Sequence, residues 1–328
     1  MKYLILGSNS FAGASLVNYL LTKEQTVVGV SRSQEPHALL LAYAKNPNIK
    51  LFQFHQCNIN QDFDSLVTLI KSIKPHYIVD FAGQGMVAES WKNPEQWYQT
   101  NFLSKVRLHD FLRQCDFLER YIRVSTPEVY GNTSEPVDEQ HFFHPSTPYA
   151  VSHAAIDMSL QAFYQRYQFP VILTRFANFY GPYQQLYRII PRTIIYCLLG
   201  KTLSLHGGGT AERAFIYGDD VASGVDLAIQ KGVIGDTYHF SSGKCVSIVN
   251  LVKIICDKMH VDFNAFVEVV SDRPGKDAVY AMKTEKAIHQ LSWTPSIDLE
   301  QGIDHTIAWL RKNINVIKTL PLEYIHKA

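Results

Sequence analysis

Tyr3-Leu4-Ile5-Leu6-Gly7-Ser8-Asn9-Ser10-Phe11-Ala12-Gly13 is the stretch on which the fold turns. Four apolar residues read as a buried strand, and the chain then turns at Gly7 and opens a helix. Glycine permits the tight turn and lets backbone N–H groups come close to a pyrophosphate at the helix N-terminus. Gly7, Ser10, Phe11 and Gly13 are therefore candidate contacts to a dinucleotide. Ser10 stands at the middle glycine position of the Gly-x-x-Gly-x-x-Gly pattern, where its side chain either crowds the phosphate or bonds to it. The same spacing also suits a turn required only for packing. Its place between the first strand and the first helix of an alternating chain favours binding.

That alternation continues. Short apolar runs at 3–6, 26–30, 51–54, 77–81, 121–125 and 171–174 read as strands, separated by helical patterns at 14–21, 63–73, 94–115 and 149–167. Strand-helix alternation implies a parallel sheet covered on both faces, with ligands at the carboxyl ends of the strands. Beyond residue 178 the loops gain glycine, proline and aromatics, and 215–217 and 237–240 look like returning strands. The expected fold is α/β: a Rossmann-like doubly wound parallel sheet with a smaller, interleaved α/β substrate domain. The expected division is 1–177, with returning segments near 214–242, for the dinucleotide; 178–213 and 243–328 form the second domain.

Composition narrows the classes of partner. The 328 residues carry a net charge of +1, with 46% apolar and 19% charged residues. That balance fits a globular enzyme and gives no electrostatic footprint for nucleic acid. Cys57, Cys115, Cys197, Cys245 and Cys256 are scattered without zinc-ligand spacing, so no metal site is expected, and reduced thiols suit the cytoplasm. Met1-Lys2 leads straight into the strand and Gly7, so no signal peptide is expected. No apolar run reaches the roughly 18 residues a membrane span needs.

The second strand ends at Ser31-Arg32-Ser33, without the carboxylate that usually holds the adenosine ribose. Arg32 can pair with a 2′-phosphate, so NADP(H) is favoured over NAD. Further along come Ser125-Thr126-Pro127-Glu128-Val129-Tyr130-Gly131 and Tyr149-Ala-Val-Ser-His153. Residues i and i+4 share a helix face, so Tyr149 and His153 point the same way. A tyrosine can take a hydroxyl proton while hydride leaves the same carbon, provided its pKa falls from ~10 towards neutrality. His153 can donate hydrogen bonds, but it carries charge only below its own pKa, near neutral when unperturbed.

Together these pieces resemble the extended short-chain dehydrogenase/reductase family, and within it the NAD(P)-dependent nucleotide-sugar epimerases and dehydratases. The similarity is strongest to the dTDP-glucose 4,6-dehydratases. It continues through Asn178-Phe-Tyr-Gly-Pro-Tyr-Gln184, Arg213-Ala-Phe-Ile-Tyr-Gly-Asp-Asp220, Arg273-Pro-Gly-Lys-Asp277 and Trp293-Thr-Pro295. The resemblance implies that Thr126 orients substrate and phenol, that Tyr149 is the catalytic base, and that Glu128 is a second base beside the sugar ring. The family has lysine where this chain has His153, and a dehydratase acid where it has Pro127. It also implies Ser31, Asn58, Ala82, Asn101, Tyr149 and His153 at the cofactor, and Gln84, Asn178, Arg213 and Arg273 at a nucleotide-diphosphate sugar. His206 and Met86 stand where relatives have an aromatic against the base and a histidine near the sugar. The implied activity is 4,6-dehydration by internal hydride transfer. The alternatives are a 4-keto reductase, an epimerase, a decarboxylase, or a binding protein with weakened turnover. A homodimer is implied through helices 94–115 and 149–167, with Phe102, Val106, Met158 and Phe163 suited to the seam.

Overall fold

The structure, a computed structural model, describes residues 1–133, 135–271 and 279–327. The first six strands are β1 (Lys2–Leu6), β2 (Thr26–Ser31), β3 (Phe52–Gln56), β4 (Tyr77–Asp80), β5 (Arg120–Ser125) and β6 (Val171–Phe176). Six more follow: β7 (Asn178–Tyr180), β8 (Leu203–His206), β9 (Glu212–Tyr217), β10 (Thr237–Phe240), β11 (Cys245–Ser247) and β12 (Val267–Val270).

Seven strands form the central sheet in the order β10-β6-β5-β4-β1-β2-β3. Every pairing in it is parallel. The period-two geometry of β1 sends alternate residues to opposite faces. Tyr3 and Ile5 join one core with Leu16, Val17 and Leu20. Leu4 and Leu6 join the other with Leu66, Ile70, Leu108 and Ile156. Both faces are thus covered by helices. The chain runs outward through β2 and β3 and returns to β4 on the far side of β1. The crevice at the carboxyl ends of β1 and β4 lies at this reversal, where such sheets bind ligands.

A three-stranded sheet, β11-β9-β7, and the β12-β8 pair build the smaller part of the fold. Helices Ile189–Leu199, Ile248–Met259 and Leu299–Ile317 share its core. β10 joins the central sheet, whereas β9 pairs with β7 and β11. The expected return of 215–217 is thus a return to the smaller sheet.

The pattern at 94–115 is not one helix. It divides into Pro94–Tyr98, a π-helical turn Gln99–Leu103, and Ser104–Leu112. Such turns insert a residue into the helical ladder and are frequent at functional sites. Phe102, Val106 and Phe163, expected at a dimer seam, instead pack partly buried on their own core. Tyr98, Leu103, Val151, Met158 and Tyr167 are left exposed on these helices, Leu103 and Met158 most, at 54% and 58%.

Candidate active site

The glycine turn is built by close approach. Gly7 has φ +82°, and a Cβ there would sit 2.8 Å from the Ala82 amide nitrogen at the end of β4. A Cβ on Gly13 would collide with the Gly7 carbonyl oxygen. Ser10 caps the helix Phe11–Thr22, its Oγ accepting from the Gly13 N–H at 3.0 Å. The serine oxygen therefore turns into the helix and leaves its hydrogen to donate outward. Phe11 points away, its ring packed between Gly181 and Gly218. The first-turn N–H groups of Phe11 and Ala12 have no partner within the helix, so they are the donors suited to a pyrophosphate. The cradle fits a dinucleotide.

Ser31 braces this loop, its Oγ accepting from the Asn9 N–H at 3.0 Å. Arg32 donates to the Lys327 carbonyl at 3.1 Å, and Lys327 Nζ donates to Ser33 Oγ at 3.2 Å. Two cations thus stand beside the end of β2. Asn58 spends its side-chain oxygen on the Asn60 N–H, which fixes its own turn. Asn101, on the π-helical turn, accepts from the Gln84 N–H and donates to the Gln84 carbonyl and to Ser152 Oγ. Both of its amide hydrogens are used, so it holds the Ala82–Gln84 loop against the helix Pro148–Tyr167. The Gln84 amide donates to the Lys327 carbonyl at 2.9 Å.

Beneath the crevice lies a buried charge network. Asp80 on β4 is paired with Lys105 and with Arg123 of β5, the latter at 3.2 Å. Tyr121 donates to the same carboxylate at 2.7 Å. Burial alone would raise the Asp80 pKa, but Lys105 and Arg123 outweigh it and hold it low. Arg123 also reaches up with Nη2 to His153 Nδ1 at 3.1 Å. Burial, then Arg123, keeps the imidazole well below its usual pKa. His153 is therefore neutral at physiological pH. The near-neutral titration expected from its residue type does not hold here, because it is desolvated and faces a guanidinium.

The Tyr149 ring packs against His153 at a tilt, with ring centroids 4.6 Å apart. Burial raises its phenol pKa and Glu128 adds to the rise; a hydrogen bond from Thr126 and the charges of Arg188 and Arg123 act the other way. Thr126, Glu128, Tyr149 and His153 thus converge. On the far side Tyr280 links them to the expected substrate end. Its hydroxyl donates to Asn178 Oδ1 at 2.9 Å, and Arg213 stacks on its ring at 4.4 Å. Glu128 and Tyr149 both bear on the Tyr280 phenol. Tyr280 and Arg188 were not foreseen, as neither sits in a motif. His206 donates to the Ser271 carbonyl at 3.1 Å. Arg273 lies outside the described residues. No cluster of three or more His, Cys, Asp or Glu could hold a metal ion among the described residues.

The glycine turn over a parallel sheet, with a tyrosine and its i+4 neighbour across the crevice, defines an extended short-chain dehydrogenase/reductase. The family described as GDP-mannose 4,6 dehydratase matches residues 4–306, and the chain belongs to it. A dTDP-D-glucose 4,6-dehydratase of Mus musculus is 37% identical over 204 residues, which span 60% of this chain and 57% of that one. A dTDP-glucose 4,6-dehydratase of Haemophilus influenzae is 28% identical and covers 94% of this chain and 97% of its own. Among solved structures, DesIV of Streptomyces venezuelae, a dTDP-glucose 4,6-dehydratase with NAD bound, aligns with a TM-score of 0.89. It has 28% identity and covers 96% of this chain and 98% of its own.

Proposed function

We propose that the chain is a nucleotide-sugar 4,6-dehydratase, a lyase converting a nucleotide-diphosphate sugar to its 4-keto-6-deoxy form with loss of water. The observation that carries this is the meeting of Glu128 and Thr126 at the buried Tyr149 phenol. A bound nicotinamide dinucleotide would accept a hydride from carbon 4 and return it to carbon 6, leaving no net redox change. Tyr149 takes the proton of the carbon-4 hydroxyl. The new ketone acidifies carbon 5, and Glu128 takes that proton. Pro127 has no proton to give. Glu128 therefore hands its proton to the carbon-6 hydroxyl, which departs as water. The proton gathered by Tyr149 reaches carbon 5 through solvent, and atoms balance. Asn178, Arg213, Arg273 and Gln84 are assigned to the substrate.

NADP(H) is the favoured cofactor. The support is the missing acid after β2 and the two cations, Arg32 and Lys327, at that place. NADP(H) should bind more tightly than NAD(H), with Arg32→Ala reducing the preference; parallel titrations check it. Residues 1–177 with the returning helix Gly218–Lys231 and β10 are assigned to the dinucleotide, and 178–213 and 243–328 together with β9 to the nucleotide sugar. A homodimer through helices Pro94–Tyr98, Ser104–Leu112 and Pro148–Tyr167 is supported by the exposed Leu103, Val151 and Met158. No helix among the described residues is long and apolar enough to cross a membrane. The five thiols are unbridged, in keeping with a cytoplasmic location.

Incubation with a panel of nucleotide-diphosphate sugars tests the reading. One of them should lose one water, seen by mass spectrometry, without consuming NADPH. Stoichiometric NADPH consumption with a keto-sugar would indicate a reductase instead. Binding without turnover across the panel would indicate a binding protein.

A further inference from the structure

A phenol that must ionise near neutral pH needs a positive charge beside it, because burial favours its neutral form. Tyr149 is buried, and Glu128 opposes ionisation further. Its neighbour on the helix, His153, cannot supply the charge while it stays neutral. A guanidinium, by contrast, is charged at every working pH. Arg123 is buried, lies directly under His153, and its field acts on the Tyr149 phenol.

We propose that Arg123 is the positioning residue of the Tyr149–His153 pair: from strand β5 it supplies a permanent positive charge beneath the pair that favours loss of the phenol proton, and it fixes the imidazole tautomer. The second part follows from donor chemistry. Guanidinium nitrogens only donate, so Nδ1 of His153 must accept, and the ring proton of the neutral imidazole sits on Nε2. His153 is thereby held as an Nε2–H donor one helical turn from Tyr149.

The surrounding charges agree. Asp80 and Asp157 face Arg123 from β4 and from the helix Pro148–Tyr167. Lys105 pairs with Asp80, and Arg175 of β6 pairs with Asp157 at 2.8 Å. Three buried cations therefore stand against two carboxylates, and the excess charge is positive. His109, which also adjoins this network through Tyr121, is held neutral by burial. Arg188, on a loop rather than beneath the pair, also favours the phenolate, and more strongly than Arg123 does.

The inference rests on Tyr149 being the base of the proposed dehydration, but its test does not need turnover. Tyrosinate absorbance is titrated in the intact protein, and the Tyr149 share is isolated by subtracting the Tyr149→Phe variant in each background. Arg123→Met should move the Tyr149 transition to higher pH by about one unit or more, the scale expected for loss of an adjacent opposite charge. Arg123→Lys should restore most of the shift. With an active substrate, Arg123→Met should lower kcat and leave KM for the nucleotide sugar unchanged. If Arg123→Met does not fold, the nitrogen NMR signals of the His153 ring in the native protein decide. Nδ1 bare and Nε2 protonated from pH 8 to pH 5 is the expected result. A titrating His153, an Nδ1-protonated ring, or a Tyr149 transition indifferent to Arg123→Met overturns the proposal. Absence of turnover with an Arg123-dependent phenol would count against the dehydratase reading alone.

Discussion

Glu128 and Tyr149 handle different protons in the proposed cycle, so their substitutions should fail at different stages. Glu128→Gln removes the base for carbon 5 but leaves Tyr149, Thr126 and the glycine turn in place. It should still oxidise carbon 4, accumulate reduced cofactor, and lose overall turnover by roughly 10²–10⁴-fold, the usual worth of a general base. Rapid-mixing absorbance of the reduced cofactor checks this; a variant that turns over normally would remove Glu128 from the mechanism. The shared helix face of Tyr149 and His153 was legible from their i,i+4 spacing, and Thr126 and Glu128 came from the resemblance to the dehydratases. Arg123 was not legible. It sits inside an apolar run that reads simply as a buried strand, and its partners Asp80 and His153 come from elements far away in the chain. Only strand order makes those contacts.

At the scale of elements, the glycine turn has the least room for change. Gly13→Ala would force its new methyl onto the Gly7 carbonyl oxygen. The rigid backbone there cannot yield cheaply, and overpacking of this kind costs about 1–3 kcal/mol. Denaturant unfolding should show that loss, together with weaker dinucleotide binding; unchanged values in both would refute the tight turn. The strands, first helices and parallel sheet were readable from periodicity, because buried parallel strands are plainly apolar. The break at Gln99–Leu103 was not, since no glycine or proline between 95 and 115 marks the inserted residue. Nor was the path of residues 320–327. There His326 stacks on Trp97 with centroids 5.6 Å apart, and Lys327 meets Arg32 and Gln84. No periodic pattern announces such a segment, and the contacts that tie it to Trp97, Arg32 and Gln84 come from far along the chain.

For the whole molecule, buried neutral histidines set the response to acid. Burial pushes the pKa of His109, His153 and His239 down, to about 3 for His109. In the unfolded chain each would take up a proton near its ordinary value of about 6.5. Their folded pKa values lie below the unfolded one, so their stabilising contribution is complete above about pH 6.5 and is lost as the pH falls below it. Each contributes a slope of about 1.4 kcal/mol per pH unit in that window. Stability by denaturant unfolding should therefore fall steeply between pH 6.5 and pH 5. A flat profile there would show that these imidazoles are not buried neutral. The path of one hydrogen separates dehydration by internal hydride transfer from its alternatives. A nucleotide-diphosphate sugar that the protein turns over is prepared with deuterium at carbon 4, and the product is examined by NMR and mass spectrometry. Deuterium is expected on carbon 6 of a 4-keto-6-deoxy sugar, with no net change in the cofactor. A product whose carbon 6 carries no deuterium, or one formed only with stoichiometric use of NADPH, would contradict dehydration by internal hydride transfer.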